Sequence, residues 1–327
     1  MEKSVDNLYA KMTASDASVF MQVSLQSIHK HLKTKDIESF KSQNRVYFGF
    51  ESARKLFSIP FEKKVISFQI VKGGTGKTSI AYSFAIRANL YGARVLCIDL
   101  DQQGNLTHAF SVDPNIVPVM IDVVKNNAEL SDGIVNISPG LDLFPSRIDN
   151  AILDNEIMLG RFPLEQLYLK IIEPIRENYD LIIFDCPPAL GHSVASSTLA
   201  SDIIISPVTP EQFGLSGLKI TYDEVKILNK NYLKDIKMKV LLNKFDSRTA
   251  LSSEVLRTLI NDESFKDITC NALVRSNQEF SNTIFAGTNI YSSLKNTSAK
   301  EDIDLLVREV LNLDELYNKK TNKIELM

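Results

Sequence analysis

The chain has 327 residues, of which 44% are hydrophobic, with 37 Lys+Arg against 40 Asp+Glu and a formal net charge of −3. This length accommodates one α/β domain of ordinary size and a smaller module. No run approaches the roughly eighteen apolar residues that a membrane span requires, and residues 1–6 lack the segments of a signal peptide. Three separated cysteines show no metal-binding spacing. We therefore expect a cytoplasmic protein that binds no membrane.

Charge is distributed unevenly along the chain. Residues 1–64 contain 11 Lys+Arg and 7 Asp+Glu, a balance of +4, which leaves −7 for the remainder. A basic end on an acidic protein favours a separate role for that end, such as contact with nucleic acid.

Residues 1–60 are predicted to form a small helical domain of the winged helix-turn-helix type. The spacing of apolar residues predicts this order of elements: helices over 15–22 and 25–32, a hairpin over 40–48, and a helix over 50–57. Such an outline is typical of DNA-binding domains that recognise an operator. A dimerisation arm or a solvated basic face is the alternative, because the outline is short and degenerate.

The second predicted helix carries the candidate DNA contacts. Ser24 is a candidate N-cap, and Ile28 and Leu32 would face inward. The polar residues expected to reach DNA lie on the exposed side of this helix and on the hairpin: Gln26, Ser27, Lys30, Lys33 and Arg45. His29 and His31 on the same helix are interpreted as surface groups rather than metal ligands.

A phosphate-binding loop is predicted between a strand at 65–71 and a helix at 79–90. Its sequence is Lys72-Gly73-Gly74-Thr75-Gly76-Lys77-Thr78, with Ser79 following. The glycines let backbone N–H groups approach an anion, and the helix N-terminus adds its dipole there. Lys77 is expected to neutralise phosphate charge, and Thr78 to ligate a bridging Mg²⁺. The expected ligand is a nucleoside triphosphate.

Acidic residues follow two further predicted strands. Asp99 and Asp101 lie at the end of an apolar run at 94–100, and Asp185 follows four apolar residues at 181–184. Carboxylates at the ends of strands beside a phosphate loop suit the binding of metal and water. A helix N-cap or a turn acid is the alternative interpretation for Asp99 and Asp101.

The remaining chain continues to alternate between strands and helices. A strand is predicted at 203–207, a helix at 215–228 and a strand at 238–242, with Asn243 directly after it. This alternation predicts an α/β fold, a doubly wound and mostly parallel sheet of the P-loop NTPase class. From the residues alone, Asn243 is equally well explained as a turn former.

The motifs together resemble the ParA/MinD family of dimerising ATPases. Lys72 is the additional lysine of the deviant Walker A loop, and residues 99–105 match the family pattern D-x-D-P-Q-G-N, with Gln102 in place of proline. The resemblance implies that ATP and Mg²⁺ are bound, and that Lys72 reaches the nucleotide of a partner subunit. It also implies that Asp101 orients the attacking water, that Thr78, Asp99 and Asp185 serve Mg²⁺, and that Asn243 contacts adenine.

The resemblance further implies a function in DNA partition. An ATP-bound homodimer would bind DNA nonspecifically, with Arg275 and Lys295 as candidate contacts, and a ParB-type centromere-binding protein would stimulate hydrolysis and release. Location on the nucleoid follows. Residues 1–60 also resemble the N-terminal region of longer plasmid ParA proteins, which implies repression of the protein's own operon. Alternatives are a repressor that uses nucleotide as ligand, a MinD-like positioning protein, or a ligase of the same fold.

The predicted boundaries are 1–60 for the DNA-binding domain, 64–315 for the ATPase domain and 316–327 for a polar tail. Pro60 interrupts helix formation just before the first core strand, so the linker is short. The tail is too short and too poor in apolar residues for the membrane-binding helix of MinD relatives.

Overall fold

The computed structural model describes residues 9–42, 44–211 and 214–325. Residues 1–6, for which no signal peptide was expected, lie outside this part of the chain. The last two residues of the predicted tail lie outside it as well. Among the described residues, no helix is both long and apolar enough to span a membrane. Cys97, Cys186 and Cys270 are buried free thiols.

The N-terminal elements are short and mixed. In chain order they are β1 (Met12–Thr13), α1 (Ala14–Met21), α2 (Leu25–Thr34), β2 (Phe40–Ser42), β3 (Arg45–Phe48) and α3 (Phe50–Phe57). The three strands form an antiparallel sheet in the order β1-β3-β2. The three helices and the hairpin coincide with the predicted ones, whereas β1 is too short to leave a pattern in the sequence.

A second sheet begins after Pro60. Its elements and the surrounding helices are β4 (Lys64–Phe68), α4 (Lys77–Leu90), β5 (Val95–Asp99), α5 (Asn105–Ala109), α6 (Met120–Val124), β6 (Val135–Ser138), β7 (Leu141–Phe144), α7 (Leu153–Leu159), α8 (Leu164–Arg176), β8 (Leu181–Asp185), α9 (His192–Ala200), β9 (Ile203–Val208), α10 (Gly214–Tyr232), β10 (Lys237–Leu242), α11 (Ala250–Asn261), α12 (Glu279–Phe285), α13 (Ser298–Leu311) and α14 (Leu313–Glu325). Short 3-10 helices occupy 114–116, 130–133 and 148–152.

The sheet order is β10-β9-β4-β8-β5-β7-β6, and every neighbouring pair is parallel except β6 and β7. The predicted doubly wound α/β class is confirmed. Register places Phe68 of β4 opposite Asp185, and Asp99 of β5 opposite the same residue. The carboxyl ends of three central strands therefore meet at one edge, which is where such folds bind ligands.

Alternate residues of the central strands enter different cores. Val95 and Cys97 of β5 pack in the core that includes α4 and α13, whereas Leu96 and Ile98 pack in the core that includes α6 and α8. Helices thus cover both faces of the sheet, which explains why the strands are apolar throughout rather than alternating.

The N-terminal elements pack on the α4 and α13 side and share its core. The ring centroid of Phe20 in α1 lies 4.7 Å from that of Tyr91. The ring centroid of Phe57 in α3 lies 5.7 Å from that of Tyr91. Arg54 of α3 donates to Asp180 Oδ2 at 2.8 Å. These contacts join elements that precede Pro60 to the end of α4 and the start of β8.

The C-terminal region is helical through residue 325. Asn312 adopts a left-handed conformation (φ 51°) that ends α13, and α14 begins at once with Leu313. Leu316 and Tyr317 pack against the same core as the N-terminal elements. The segment 316–327, which the sequence analysis set apart as a polar tail, therefore starts within α14.

Candidate nucleotide site

The segment between β4 and α4 forms an open anion cradle. Gly74 and Gly76 have φ of 75° and 87°, a conformation that favours glycine. A Cβ added at Gly73 or Gly74 would meet no atom within 4 Å, so this side of the loop faces open space. The Thr75 hydroxyl is buried and has no hydrogen-bond partner among the described residues. The loop thus fits a polyanionic ligand.

Lys77 begins α4 and is held beneath the loop. Its Nζ donates to the Lys72 carbonyl at 3.1 Å. Burial lowers the pKa of Lys77, and this effect is partly opposed by Asp185, Cys186 and Asp101. A phosphate group beside this ammonium would supply the compensating negative charge that a buried cation requires.

Thr78 and Asp185 form the candidate metal position. The Thr78 hydroxyl donates to Asp185 Oδ2 at 2.7 Å, and the buried Asp185 Oδ1 has no partner within the described part of the chain. Burial, together with Asp99, raises the pKa of Asp185 well above its usual value. A divalent cation would relieve this concentration of negative charge and satisfy the free oxygen. The residues therefore fit Mg²⁺.

Within the described ranges, no cluster of three or more His, Cys, Asp and Glu side chains could hold a metal ion. A cation at Thr78 and Asp185 therefore depends on further oxygen ligands from phosphate and water, which is the usual mode for Mg²⁺.

The resemblance implies that Asp99 supports Mg²⁺, and the hydrogen bonds that hold its side chain do not test this role. Its Oδ2 accepts from the Thr107 N–H and hydroxyl at 2.9 and 2.8 Å, and its Oδ1 accepts from the Asp101 N–H at 3.1 Å. Burial raises the pKa of Asp99 to about 7, although these hydrogen bonds act to lower it. Asp99 therefore anchors the loop that carries Asp101.

Asp101 stands at the start of a closed turn. The Gly104 N–H donates to the Asp101 carbonyl at 2.9 Å, and the Gln103 N–H donates to Asp101 Oδ1 at 3.0 Å. Gln102, which replaces the family's proline, leaves this turn intact. Within the described part of the chain, the second oxygen of the Asp101 carboxylate accepts no hydrogen bond.

Lys72 lies at the edge of the loop. Its Nζ forms an ion pair of 2.7 Å with Glu211, whose side chain is 55% exposed. The Lys72 hydrogen bond lowers the pKa of Glu211. Sequence reasoning missed Glu211, because 139 residues separate it from its partner.

Two consecutive residues after β10 donate side-chain hydrogen bonds to backbone carbonyls of the phosphate loop. Asn243 Nδ2 donates to the Thr75 carbonyl at 2.7 Å, and a Cβ at Gly76 would overlap this nitrogen. Lys244 Nζ donates to the Gly74 carbonyl at 2.9 Å. The predicted adenine contact of Asn243 is not tested by this geometry. Lys244 was missed by sequence reasoning, although its position next to Asn243 was an available signal.

The predicted DNA contacts of α2 are solvent-facing. Gln26, Lys30 and Lys33 are exposed and Ser27 is half-buried, while Ile28 and Leu32 are buried as expected. The Ser27 N–H donates to the Ser24 hydroxyl at 3.2 Å, which confirms the predicted N-cap. Arg45 on the hairpin donates to the Leu294 carbonyl.

Arg275 and Lys295, the other predicted DNA contacts, differ in whether their charge is paired within the chain. Arg275 Nε donates to Asp302 Oδ1 at 2.9 Å, and its Nη2 also pairs with Glu301. Both carboxylates belong to α13. The charge of Arg275 is thus largely compensated within the chain. Lys295, in contrast, is exposed.

The structure therefore gathers one set of predicted residues at the nucleotide site and leaves the DNA candidates elsewhere. The loop residues Gly73–Ser79 surround the cradle with Lys72, Asp101, Asp185 and Asn243 at its border.

Comparison with known proteins agrees with this site. Residues 63–238 match the family AAA_31, an AAA domain. The sporulation initiation inhibitor protein Soj of Bacillus subtilis (strain 168) is 30% identical over 211 residues, which cover 63% of this chain and 83% of that protein. The chromosome-partitioning ATPase Soj of Treponema pallidum (strain Nichols) is 26% identical, with coverages of 77% and 98%.

Among solved structures, the ATP complex of a McdA variant from Cyanothece superposes with a TM-score of 0.69 at 20% identity, covering 77% of this chain and 98% of that one. At this identity the likeness supports the fold. Because the family match spans more than half of the chain and includes the entire phosphate loop, this protein belongs to the AAA_31 family of ParA/Soj-type P-loop ATPases.

Proposed function

We propose that this ATPase partitions DNA by binding it as an ATP-dependent homodimer. The observation that carries the proposal is the position of Lys72, which lies beside the cradle and, among the described residues, forms its ion pair with Glu211, a carboxylate whose side chain is 55% exposed. Because solvent screens Glu211, the pair contributes little, and Lys72 exchanges it for another anion at little cost. The phosphates of a partner subunit's nucleotide are such an anion.

ATP and Mg²⁺ are the cofactors of this site. Lys77 and the N–H groups of residues 73–79 bind the phosphates, while Thr78 and Asp185 hold the metal. When bound, Mg²⁺ neutralises charge on the phosphate oxygens. Asp99 fixes the loop so that Asp101 points its carboxylate toward the attacking water, and Asn243 supports the loop near the adenosine.

The proposed DNA contacts are polar residues of the N-terminal elements and the loop before α13. They are the exposed Gln26, Lys30, Lys33, Arg45 and Lys295 and the half-buried Ser27. Arg275 becomes a weaker candidate because two carboxylates already compensate its charge. A ParB-type protein would stimulate hydrolysis and so release the dimer from the nucleoid. The Treponema relative, a chromosome-partitioning ATPase, supports this assignment.

The test measures binding of the full-length protein to nonspecific duplex DNA with ATP, with ADP and without nucleotide, alongside its mass in solution. We expect a dimer and tight DNA binding with ATP alone, and loss of both in Lys72→Ala. Lys170→Ala, which removes an exposed lysine from α8, is the matched control. Equal DNA binding in all three nucleotide states would refute the proposal.

A second candidate function is repression of the protein's own operon through residues 1–60. The observation in its favour is the capped helix α2, which presents Gln26, Lys30 and Lys33 to solvent beside a hairpin. Each base contact contributes about 1–3 kcal/mol of discrimination. Footprinting of the upstream region should show protection that Gln26→Ala removes, and protection that persists in this variant would argue against recognition through α2.

A further inference from the structure

The hairpin of the N-terminal elements is joined to the loop that precedes α13. Arg45 of β3 donates its guanidinium N–H to the carbonyl of Leu294. A cavity of about 160 Å³ lies beside this contact, and its lining includes Leu25 and His29 of α2, Asn44 of the hairpin turn and Asn296 of the loop. Three segments that are distant in sequence therefore surround one depression.

The loop is held in place from below. Lys300 Nζ donates to the carbonyls of Ser293 and Lys295, the latter at 2.7 Å, and Thr297 caps the first turn of α13 by accepting from the Lys300 N–H at 3.4 Å. These bonds fix the backbone that carries the exposed Lys295. A cation on such a loop is presented at a defined position beside the hairpin.

The three segments that surround this depression, α2, the hairpin and the loop 293–297, contain cations and no carboxylate. Their exposed cations are Lys30, Lys33, Lys41, Arg45 and Lys295, of which Arg45 lines the depression itself. Two exposed carboxylates, Asp36 and Glu38, lie in the connection between α2 and the hairpin. The chain beyond residue 64 carries a net −7, so this local excess of positive charge is not a consequence of overall composition.

We propose that α2, the β2–β3 hairpin and the loop 293–297 form one continuous face for duplex DNA, and that operator DNA and nonspecific DNA compete for it. This inference rests on the proposed function, in which both kinds of DNA are bound, and it replaces two separate DNA sites with one. The sugar–phosphate backbone of a duplex docked on α2 extends across Arg45 to Lys295.

The first experiment compares Lys30→Ala and Lys295→Ala in the full-length protein. Each variant is titrated with operator DNA and with nonspecific duplex in the presence of ATP, over a range of salt concentrations. Each lost phosphate contact should reduce the slope of log affinity against log salt by about 0.9, for both DNAs and in both variants. Lys170→Ala should change neither slope.

The second experiment is competition. Labelled operator bound to the ATP-loaded protein should be displaced by an excess of unlabelled nonspecific duplex, with at most one duplex bound per subunit. Binding of operator and nonspecific duplex to the same subunit, seen as more than one duplex per subunit at saturation, overturns the shared face, as does a Lys295→Ala variant that retains its full operator slope. If the wild-type protein shows no ATP-stimulated DNA binding, the proposed function itself fails, and this outcome is distinguished from the others by the wild-type titration alone.

Discussion

At the scale of single residues, the nucleotide site consists of groups that motifs reveal and groups that they do not. Lys77 and Thr78 are predicted from the order strand, glycine loop and helix, and Asp185 is predicted from a later apolar strand that ends in a carboxylate. Lys244 reaches the loop across 170 residues of sequence. Its position next to Asn243 is a signal in the sequence, but the contact with the Gly74 carbonyl is revealed by the fold.

Substitutions of Asp101 and Lys77 should have different effects, the first on ATP hydrolysis and the second on ATP binding. We expect Asp101→Ala to retain ATP and Mg²⁺ while turnover falls by about 10²-fold, because orientation of water is lost. Lys77→Ala should lose ATP binding itself. Single-turnover hydrolysis and equilibrium titration with a fluorescent ATP analogue measure the two effects. Undiminished hydrolysis in Asp101→Ala would remove this residue from the mechanism.

Lys244 should affect nucleotide affinity without affecting the chemical step. In Lys244→Ala the Gly74 carbonyl loses its donor, and a hydrogen bond from a charged group contributes about 1.5–3 kcal/mol. Because Lys244 is exposed, we expect the low end, about a tenfold rise in Kd at unchanged kcat. Lys237→Ala, at the opposite end of β10, is the control for calorimetric titration. An unchanged Kd in Lys244→Ala would limit Lys244 to a surface contact.

At the scale of elements, the sequence pattern predicts that α4 is a helix, but it does not predict which elements pack around that helix. Twelve of its residues are buried, so it lacks the polar face of a surface helix. The sheet covers one side, and α13 and the N-terminal elements cover the others. The sequence indicates this burial incompletely, because the buried set includes the polar Ser83, Arg87 and Asn89. It also does not indicate which elements cover the helix.

Arg275 should act through α13 rather than through DNA. Its guanidinium is the partner of Asp302, whose side chain is only 4% exposed, so Arg275→Ala leaves a buried carboxylate with a single backbone donor. We expect unfolding free energy to fall by about 1–3 kcal/mol. Chemical denaturation measures this change. The double variant Arg275→Ala/Asp302→Asn should recover part of the loss, and a single variant of wild-type stability would restore Arg275 as a free surface cation.

At the scale of the whole molecule, the fold class was predictable and the assembly of its parts was not. Strands at 203–207 and 238–242 separated by a helix predict a parallel sheet, and the structure confirms it. The packing of Phe20 and Phe57 on Tyr91 depends on contacts across more than thirty residues. Apolar spacing predicts that these helices bury a face, but not against which partner.

Deletion of residues 1–60 should therefore damage the ATPase. The truncated chain would expose Tyr91 and its neighbours in the shared core, so we expect aggregation or a lowered Tm rather than an independent domain. Thermal unfolding and gel filtration test this, with Lys30→Ala as a folded full-length control. A truncated protein with wild-type Tm and ATP hydrolysis would show that the two parts are independent.

The shared core also constrains how such a chain diverges by recombination. A crossover near Pro60 would join the α1 and α3 of one protein to the α4 of another, and the ring contacts at Tyr91 would then have to match by chance. Substitutions on the exposed side of α2 meet no such restriction, because Gln26, Lys30 and Lys33 face solvent. Under the proposed recognition of an operator through α2, new DNA specificities should therefore arise by point mutation on one helix face, while the junction itself is inherited as a unit.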